Sequence, residues 1–385
     1  MYLSNLSLLN FRNYPHLELK FEPGMVLVQG ANGQGKSNLL EAIYILAVAK
    51  SHRASTERQL IRRQSITNES FAQIAGSINR EGDTTKLQVD FSWMTSPSSE
   101  YHDLRVKKYV HINGIRRRGS ELVGEMNAVL FTADDLNLVY GSPTIRRRYL
   151  DILISQTDRE YLKTLQRYQR IVTNRNHLLK EIRDRRSKES ELTIWDDQLA
   201  DAGALILTRR ANTLARLSDT ATQTHKDLSN VDEILMVKYQ ASIPSTGSSP
   251  QQIGDEIRKM LEVVRSKEIA QGVCLRGPHR DDFMLLLGDT SVNDYASRGQ
   301  ARTVILALKL AEAQHLQEVR GSKPIILLDD VLSELDTTRR SQVLERATGY
   351  EQTIVTTADI GLVPIQHRHS ALDLTTAGGK VSRSL

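Results

Sequence analysis

The run Gly30-Ala31-Asn32-Gly33-Gln34-Gly35-Lys36-Ser37 has the residue types and spacing of a phosphate-binding loop. Its glycines let the backbone wrap an anion without clashes from Cβ atoms, so that successive N–H groups and the start of the following helix face the phosphate. In that arrangement Lys36 reaches the β- and γ-phosphates of a nucleotide and the Ser37 hydroxyl becomes a ligand for Mg²⁺. Asn38 belongs to the same expected binding set. A glycine-rich turn with an accidental lysine is the bland alternative. The apolar strand Met25 to Gln29 before the loop and the apolar helical stretch Asn38 to Ala49 after it argue for the sharper one.

Far downstream, Ile325-Ile326-Leu327-Leu328-Asp329-Asp330 is a short apolar run ending in two carboxylates. A buried parallel strand delivers its C-terminal end to the ligand crevice of an α/β sheet. Asp329 is then expected to serve the Mg²⁺ shell, and Asp330 to orient or deprotonate an attacking water. Alone the run is uninformative; paired with the phosphate loop it becomes specific. Ser333-Glu334-Leu335-Asp336 follows, which by itself is a helix-capping pattern. Ser297-Arg298-Gly299-Gln300 opens another apolar helix and could cap it or bind an anion.

Around these residues the chain reads as α/β. Leu3 to Phe11, Leu17 to Phe21 and Met25 to Gln29 are expected strands, with turn residues Asn13, Tyr14 and Pro15 between the first two. Phe71 to Asn113 has a period near two and an Asn113-Gly114 hairpin signal, which predicts an antiparallel meander. From Ser142-Pro143 to about residue 272 the pattern is helical and polar, with an evident loop in the Pro-Ser-Thr-Gly-Ser-Ser-Pro run. Strand and helix alternation then returns through Met284 to Leu287, Gly299 to Gln317, Pro324 to Leu328, Thr337 to Ala347 and Thr353 to Thr357. The expected organisation is a nucleotide-binding head split between residues 1–140 and 273–385, with a mainly α-helical arm inserted at 141–272.

Composition sets the outer bounds. The 385 residues are 39% hydrophobic and 25% charged, so most of the chain can fold. One cysteine, Cys274, excludes an intrachain disulfide and fits a reducing cytoplasm. The longest apolar run, Ala42 to Ala49, is far short of the ~20 residues that span a membrane, and no membrane role is expected. The formal charge is only +5, but residues 141–188 hold 13 Lys and Arg against 5 Asp and Glu, net +8. Basic clusters at Arg62 and Arg63, Arg116 to Arg118, Arg146 to Arg148, and Arg185 and Arg186 are expected DNA contacts. For any one of them a solvated surface is the bland reading.

Taken in order, the phosphate loop, Ser297 to Gln300, Asp329-Asp330 and Ser333 to Asp336 resemble the ATP-binding cassette (ABC) ATPases. Within them, Leu9-Asn10-Phe11-Arg12-Asn13-Tyr14, Lys50-Ser51-His52-Arg53, Gly141-Ser142-Pro143 and Gly277-Pro278-His279-Arg280-Asp281-Asp282 resemble the RecF family of bacterial recombination and gap-repair proteins. The resemblance implies an ABC-type head, with a parallel-sheet core and an antiparallel β subdomain, that hydrolyses ATP with Mg²⁺. It implies an ATP-dependent homodimer in which Ser297, Arg298, Gly299 and Gln300 of one copy meet nucleotide held by Lys36 and Ser37 of the other. Ser333 and Asp336 stand at the D-loop, and Arg53 is placed near nucleotide or DNA. The implied partners are double-stranded DNA at a gap or junction, RecR- and RecO-type mediators and the recombinase RecA. Departures from the wider cassette pattern are Asp330 for the usual glutamate, Phe131 to Asp135 where a glutamine is expected, and Thr356 or Thr357 for the switch histidine. All three predict slow hydrolysis. The rivals are an SMC-like clamp of another pathway, a transporter ATPase subunit, a nuclease with a cassette head, and a scaffold that binds ATP without hydrolysing it.

Overall fold

In the computed structural model, residues 1–63, 70–94, 105–229, 233–243, 249–369 and 371–383 are described. The chain opens with the hairpin of β1 (Tyr2–Phe11) and β2 (Tyr14–Lys20), followed by β3 (Gly24–Gln29) and, after the glycine loop, helix α1 (Lys36–Val48). The meander is β4 (Phe71–Arg80), β5 (Asp83–Met94), β6 (Arg105–Ile112) and β7 (Ile115–Arg117), with Asn113-Gly114 as the last turn; β8 (Ala128–Thr132) follows. After the long helices come β9 (Leu235–Gln240), β10 (Asp282–Leu287), β11 (Thr290–Ser291), β12 (Ile325–Asp329), β13 (Gln352–Thr357), β14 (Leu372–Ala377) and β15 (Lys380–Arg383).

The chain divides into two units, residues 1–135 with 312–385, and residues 136–311. The first unit holds two sheets. One is antiparallel, in the order β2-β1-β4-β5-β6-β7; the other runs β15-β14-β3-β13-β12-β8 and is parallel except for its β15 edge. The parallel strands read as near-continuous apolar runs because both faces are covered: β13 is buried at every position. Helix α1 touches strands of both sheets. That position explains why it is apolar on all sides, with Leu39, Leu40, Ala42, Ile43, Ile45, Leu46 and Ala47 fully buried.

The second unit is mainly helical: Pro143–Thr157, Arg159–Arg183, Leu192–Ser229 and Pro250–Gln271. Their ends follow local chemistry. Pro143 and Pro250 occupy first turns, Asp158 accepts from the Tyr161 N–H at 2.9 Å, and Ser249 and Gln252 cap reciprocally. The expected organisation gains one strand and a different boundary. A strand that the sequence reading did not single out, β9, lies within the mainly helical arm and pairs antiparallel with β10. The division also falls at 311/312, inside the helix Arg298–Arg320, and not at 272/273, because β10 and β11 hydrogen-bond into the arm's sheet. Most of the expected loop, residues 244–248, lies outside the described residues.

The segment from Cys274 to Asp282 is tied into the second unit by side chains that the sequence separates widely. Buried Arg210 donates to Asp151 (2.8 Å) and to the Pro278 carbonyl (2.7 Å), while Tyr239 donates to Asp281 (2.6 Å). The Tyr168 hydroxyl lies 2.7 Å from His279 Nδ1, and His279 Nε2 lies 3.2 Å from the Cys274 carbonyl. A carbonyl only accepts, so Nε2 carries the proton and Nδ1 accepts from Tyr168. Burial, assisted by the charges of Arg280, Arg147 and Arg175, pushes the His279 pKa down to about 4. The folded protein therefore binds fewer protons than the unfolded chain between about pH 4 and pH 6.5. The contribution of neutral His279 is complete above pH 6.5 and falls as pH drops toward 4, by roughly 3 kcal/mol in total. Urea titrations at pH 7.5 and pH 5 should show a larger acid loss for the wild type than for His279→Gln. Equal losses would place the acid sensitivity elsewhere.

Candidate nucleotide site

The candidate residues of the first unit that lie on the parallel sheet and the glycine loop meet at the C-terminal edge of that sheet. Strand register aligns Thr132, Asp329 and Thr356 across β8, β12 and β13, and Thr357 pairs with Gln29 at the end of β3, where the glycine loop begins. This brings Ser37, at the start of α1, to Asp329 across 292 residues of sequence: Ser37 Oγ donates to Asp329 Oδ1 at 2.8 Å. Lys36 is buried and its Nζ bridges back over the loop to the carbonyls of Gly30 (2.6 Å) and Ala31 (3.2 Å). Ala31, Asn32 and Gly33 are exposed. The Lys36 ammonium thus closes the loop from within, held by its first two carbonyls.

Gly35 takes φ +118 and caps α1; a Cβ there would sit 2.6 Å from Asn13 Nδ2 and 2.7 Å from the Tyr14 hydroxyl. Only glycine meets both the backbone angle and the close approach. Asn13 donates to the Gln34 carbonyl (2.9 Å) and accepts from Asn38 (2.8 Å), and Tyr14 donates to the Gly35 carbonyl (2.9 Å). Asn38 in turn accepts from Arg53 (3.3 Å). On the far side of the loop, the Gly378 N–H donates to Gln34 Oε1 (2.6 Å). Arg12 forms a bidentate pair with buried Glu41 (2.7 and 2.8 Å), which also accepts from Ser51. Burial alone would raise the Glu41 pKa; the hydrogen bonds from Arg12 and Ser51 outweigh it and hold it low.

The two acids of β12 have different environments. Burial raises the pKa of Asp329, against hydrogen bonds from Ser37 and Thr356 (2.9 Å) that lower it. Asp330 lies just past the strand in the left-handed region, φ 52, ψ 22, which aspartate tolerates better than most residues. Its N–H donates to Thr356 Oγ1 (3.0 Å), and its carbonyl accepts from Ser333 (2.7 Å). Thr356 therefore bonds both acids, and Thr357 bonds within its turn to Asp359. In the Phe131 to Asp135 segment, the Thr132 N–H donates to Asp135 (2.6 Å). Ser37 and Asp329 supply the hard oxygen donors that Mg²⁺ takes, at a spacing that one ion could share. Asp336 caps the helix Thr337–Thr348 and pairs with Arg339.

In the second unit, Ser297 and Gln300 cap each other reciprocally (2.9 and 3.2 Å). Ser297, Arg298, Gly299 and Gln300 are all exposed, and no bond beyond that cap engages their side chains among the described contacts. The expected DNA residues divide. Arg63, Arg116, Arg117, Arg118, Arg148, Arg185 and Arg186 are exposed, although Arg117 and Arg186 face Glu121 and Asp184; Arg62 is half-buried. Arg146 and Arg147 depart from the expectation. Arg146 forms a bidentate pair with Asp282 (2.7 Å) and also donates to the Gly141 carbonyl, and Arg147 donates to the Asp281 carbonyl (2.8 Å). Asp282 and the Asp281 carbonyl stand more than 130 residues away from them, which no local pattern reveals. Sequence reasoning passed over Lys163, Arg167 and Arg170, which are exposed on the helix Arg159–Arg183. Their i, i+4, i+7 spacing was the available signal. In the sequence Asn13 and Tyr14 read as turn formers and as the end of the Leu9 to Tyr14 family run; their bonds to the glycine loop, and Thr356 as the group that bonds both acids, show only in the fold.

Among the described residues no three His, Cys, Asp or Glu side chains gather as a separate metal centre, and no helix is long and apolar enough to cross a membrane. Residues 2–378 match the model of the RecF/RecN/SMC N terminal domain family. The DNA replication and repair protein RecF of Bacillus subtilis is 39% identical over 363 residues, 94% of each chain; that of Bacillus pumilus is 38% identical over 384 residues, 99% of this chain and 100% of its own. The solved structure of the recombination mediator protein RecF-ATP in the RecFOR pathway matches over 100% of this chain and 98% of its own, with a TM-score of 0.88 and 31% identity. An Smc head bound to the C-winged helix domain of ScpA shares the fold, at a TM-score of 0.52 and 16% identity. With a split ABC-type head, a phosphate loop facing a strand-end acid, and RecF relatives aligned over nearly its whole length, this chain belongs to the RecF family of DNA replication and repair proteins.

Proposed function

We propose that this chain is a cytoplasmic ATPase that dimerises on ATP, holds double-stranded DNA near a single-strand gap or junction, and lets go on slow hydrolysis to ADP and phosphate. The observation that carries this reading is the 2.8 Å contact between Ser37 and Asp329, which joins the two halves of a nucleotide site. Lys36 and the loop N–H groups bind the phosphates. Ser37 and Asp329 would hold Mg²⁺, which offsets phosphate charge when bound. Asp330 orients the attacking water and accepts its proton; its side chain is one methylene shorter than glutamate, and no histidine stands at Thr356 or Thr357, which supports a slow reaction. Ser297 and Gly299, exposed at a helix start, act on the nucleotide of a second copy. The exposed cations Arg116 to Arg118, Lys163, Arg167 and Arg170 are the preferred DNA contacts. Family membership extends the reading to recombinase loading with RecR- and RecO-type mediators.

Sedimentation velocity with and without ATP, Mg²⁺ and gapped duplex tests this. The wild type should dimerise only with ATP. Lys36→Met should lose nucleotide binding by well over tenfold, since it removes the buried cation of the loop. Ser297→Arg should bind ATP yet stay monomeric. A wild type that remains monomeric at saturating ATP, or a Ser297→Arg variant that dimerises normally, would overturn the model.

A further inference from the structure

The turn between β1 and β2 touches the glycine loop at two consecutive carbonyls. Asn13 Nδ2 donates to the carbonyl of Gln34 at 2.9 Å, and the Tyr14 hydroxyl donates to the carbonyl of Gly35 at 2.9 Å. Among the described residues no peptide bond is cis. In a trans peptide the C=O and the N–H of the same plane point in opposite directions. A hydrogen bond that holds the Gln34 carbonyl toward the turn therefore sends the Gly35 N–H the other way. The same bond at Gly35 does so for the Lys36 N–H. These are two of the N–H groups that a phosphate loop presents to its anion.

We infer that Asn13 and Tyr14 are positioning residues for nucleotide: they orient the two peptide planes whose N–H groups, on Gly35 and Lys36, bind the phosphate. The inference rests on the reading of this loop as the nucleotide site. The Gly35 carbonyl also accepts the first turn's bond from the Leu39 N–H (3.0 Å), so Tyr14 uses its second lone pair and the plane is held from two sides. Tyr14 is fully buried, and burial holds its phenol protonated far above neutral pH, so it remains a donor. Asn13 is fixed in its turn by Asn38, which donates to Asn13 Oδ1 at 2.8 Å and leaves Nδ2 facing the loop. The same Asn38 accepts from Arg53, which links the segment that follows α1 to this clamp. Rigid donors set before the ligand arrives reduce the ordering that binding requires.

The planes in question grip phosphates that ATP and ADP share. Tyr14→Phe and Asn13→Ala should therefore weaken ATP and ADP by the same factor, about 3- to 10-fold each, the range for one lost hydrogen bond. The turnover number at saturating ATP should stay within about twofold, because binding lost equally from ground and transition states raises KM alone. Selective ¹⁵N labelling of glycine and lysine adds a direct readout. In the wild type the Gly35 and Lys36 amide protons should move downfield on ADP binding, and in the variants they should move less. Melting curves without nucleotide control for folding; if Tyr14→Phe folds poorly, Asn13→Ala at the half-exposed turn carries the test. Unchanged affinity for both nucleotides in a folded variant would overturn the inference, as would a fall in turnover at unchanged affinity. A wild type that binds neither ATP nor ADP would instead overturn the nucleotide reading itself.

Discussion

Asp330→Asn is expected to lower ATP turnover by about 10²–10⁴-fold, the usual contribution of a positioned general base. ATP-dependent dimers and DNA retention should survive, and outlast those of the wild type. The variant is informative because so little else changes. The bonds that place residue 330 use its backbone: its N–H donates to Thr356 and its carbonyl accepts from Ser333. Asparagine keeps both and tolerates the left-handed backbone at φ 52 as well as aspartate does. The negative charge, and with it proton acceptance, is lost, while one acceptor oxygen remains. Phosphate release at saturating ATP, read beside sedimentation, is the measurement. Turnover within threefold of wild type would remove Asp330 from the role of base. Loss of dimers together with turnover would mean that residue 330 shapes the dimer and not the chemistry.

The largest stability effect is expected at Arg175, a fully buried guanidinium in the second unit. It donates to Asp196 at 2.7 Å and to Cys274 Sγ at 3.1 Å, and pairs with fully buried Glu268 at 2.6 Å. Arg175→Met would leave Glu268 buried with the Leu275 N–H as its main remaining donor. Removing one member of a buried ion pair typically costs about 3–5 kcal/mol, because the surviving charge stays desolvated. Asp196 fares better, since Arg265 also reaches it at 3.0 Å. Adding Glu268→Met to Arg175→Met should recover most of the loss, as apolar replacement of a whole buried pair is often close to neutral. Trp195 lies on the helix that carries Asp196, so its fluorescence in a Trp93→Phe background reports unfolding of this unit in urea. A loss below about 1 kcal/mol for Arg175→Met, or no recovery in the double variant, would contradict the account.

Cys274 illustrates how far the sequence reaches. A lone cysteine reads as a small buried residue, and it is fully buried. Its sulfur accepting from Arg175 was not legible, because those residues lie 99 positions apart on elements with no local signature of contact. The same holds for the basic run Arg146 to Arg148. Charge counting marks the run as basic, but that Arg146 and Arg147 are engaged by Asp282 and the Asp281 carbonyl depended on that distant segment returning beside them. Conversely, β9 was missed because a short strand with alternating exposure inside a helical block has too little periodicity to stand out, and it becomes a strand by pairing with β10.

By itself the sequence determined the parts whose chemistry is local. The glycine loop requires its residues at fixed spacing, the apolar strand ending in Asp329 and Asp330 marks a buried β12, and Ser297 with Gln300 forms its cap within one turn. The tertiary structure decided what those parts meet. Sheet register brought Asp329 to Ser37 and made Thr356 the holder of both acids. The β1–β2 turn came to rest on the loop, so that Asn13 and Tyr14 hold its carbonyls. The physical reason is range. Backbone preference and periodicity act over a few residues, whereas contacts across sheets depend on strand order and register, which only the assembled core specifies.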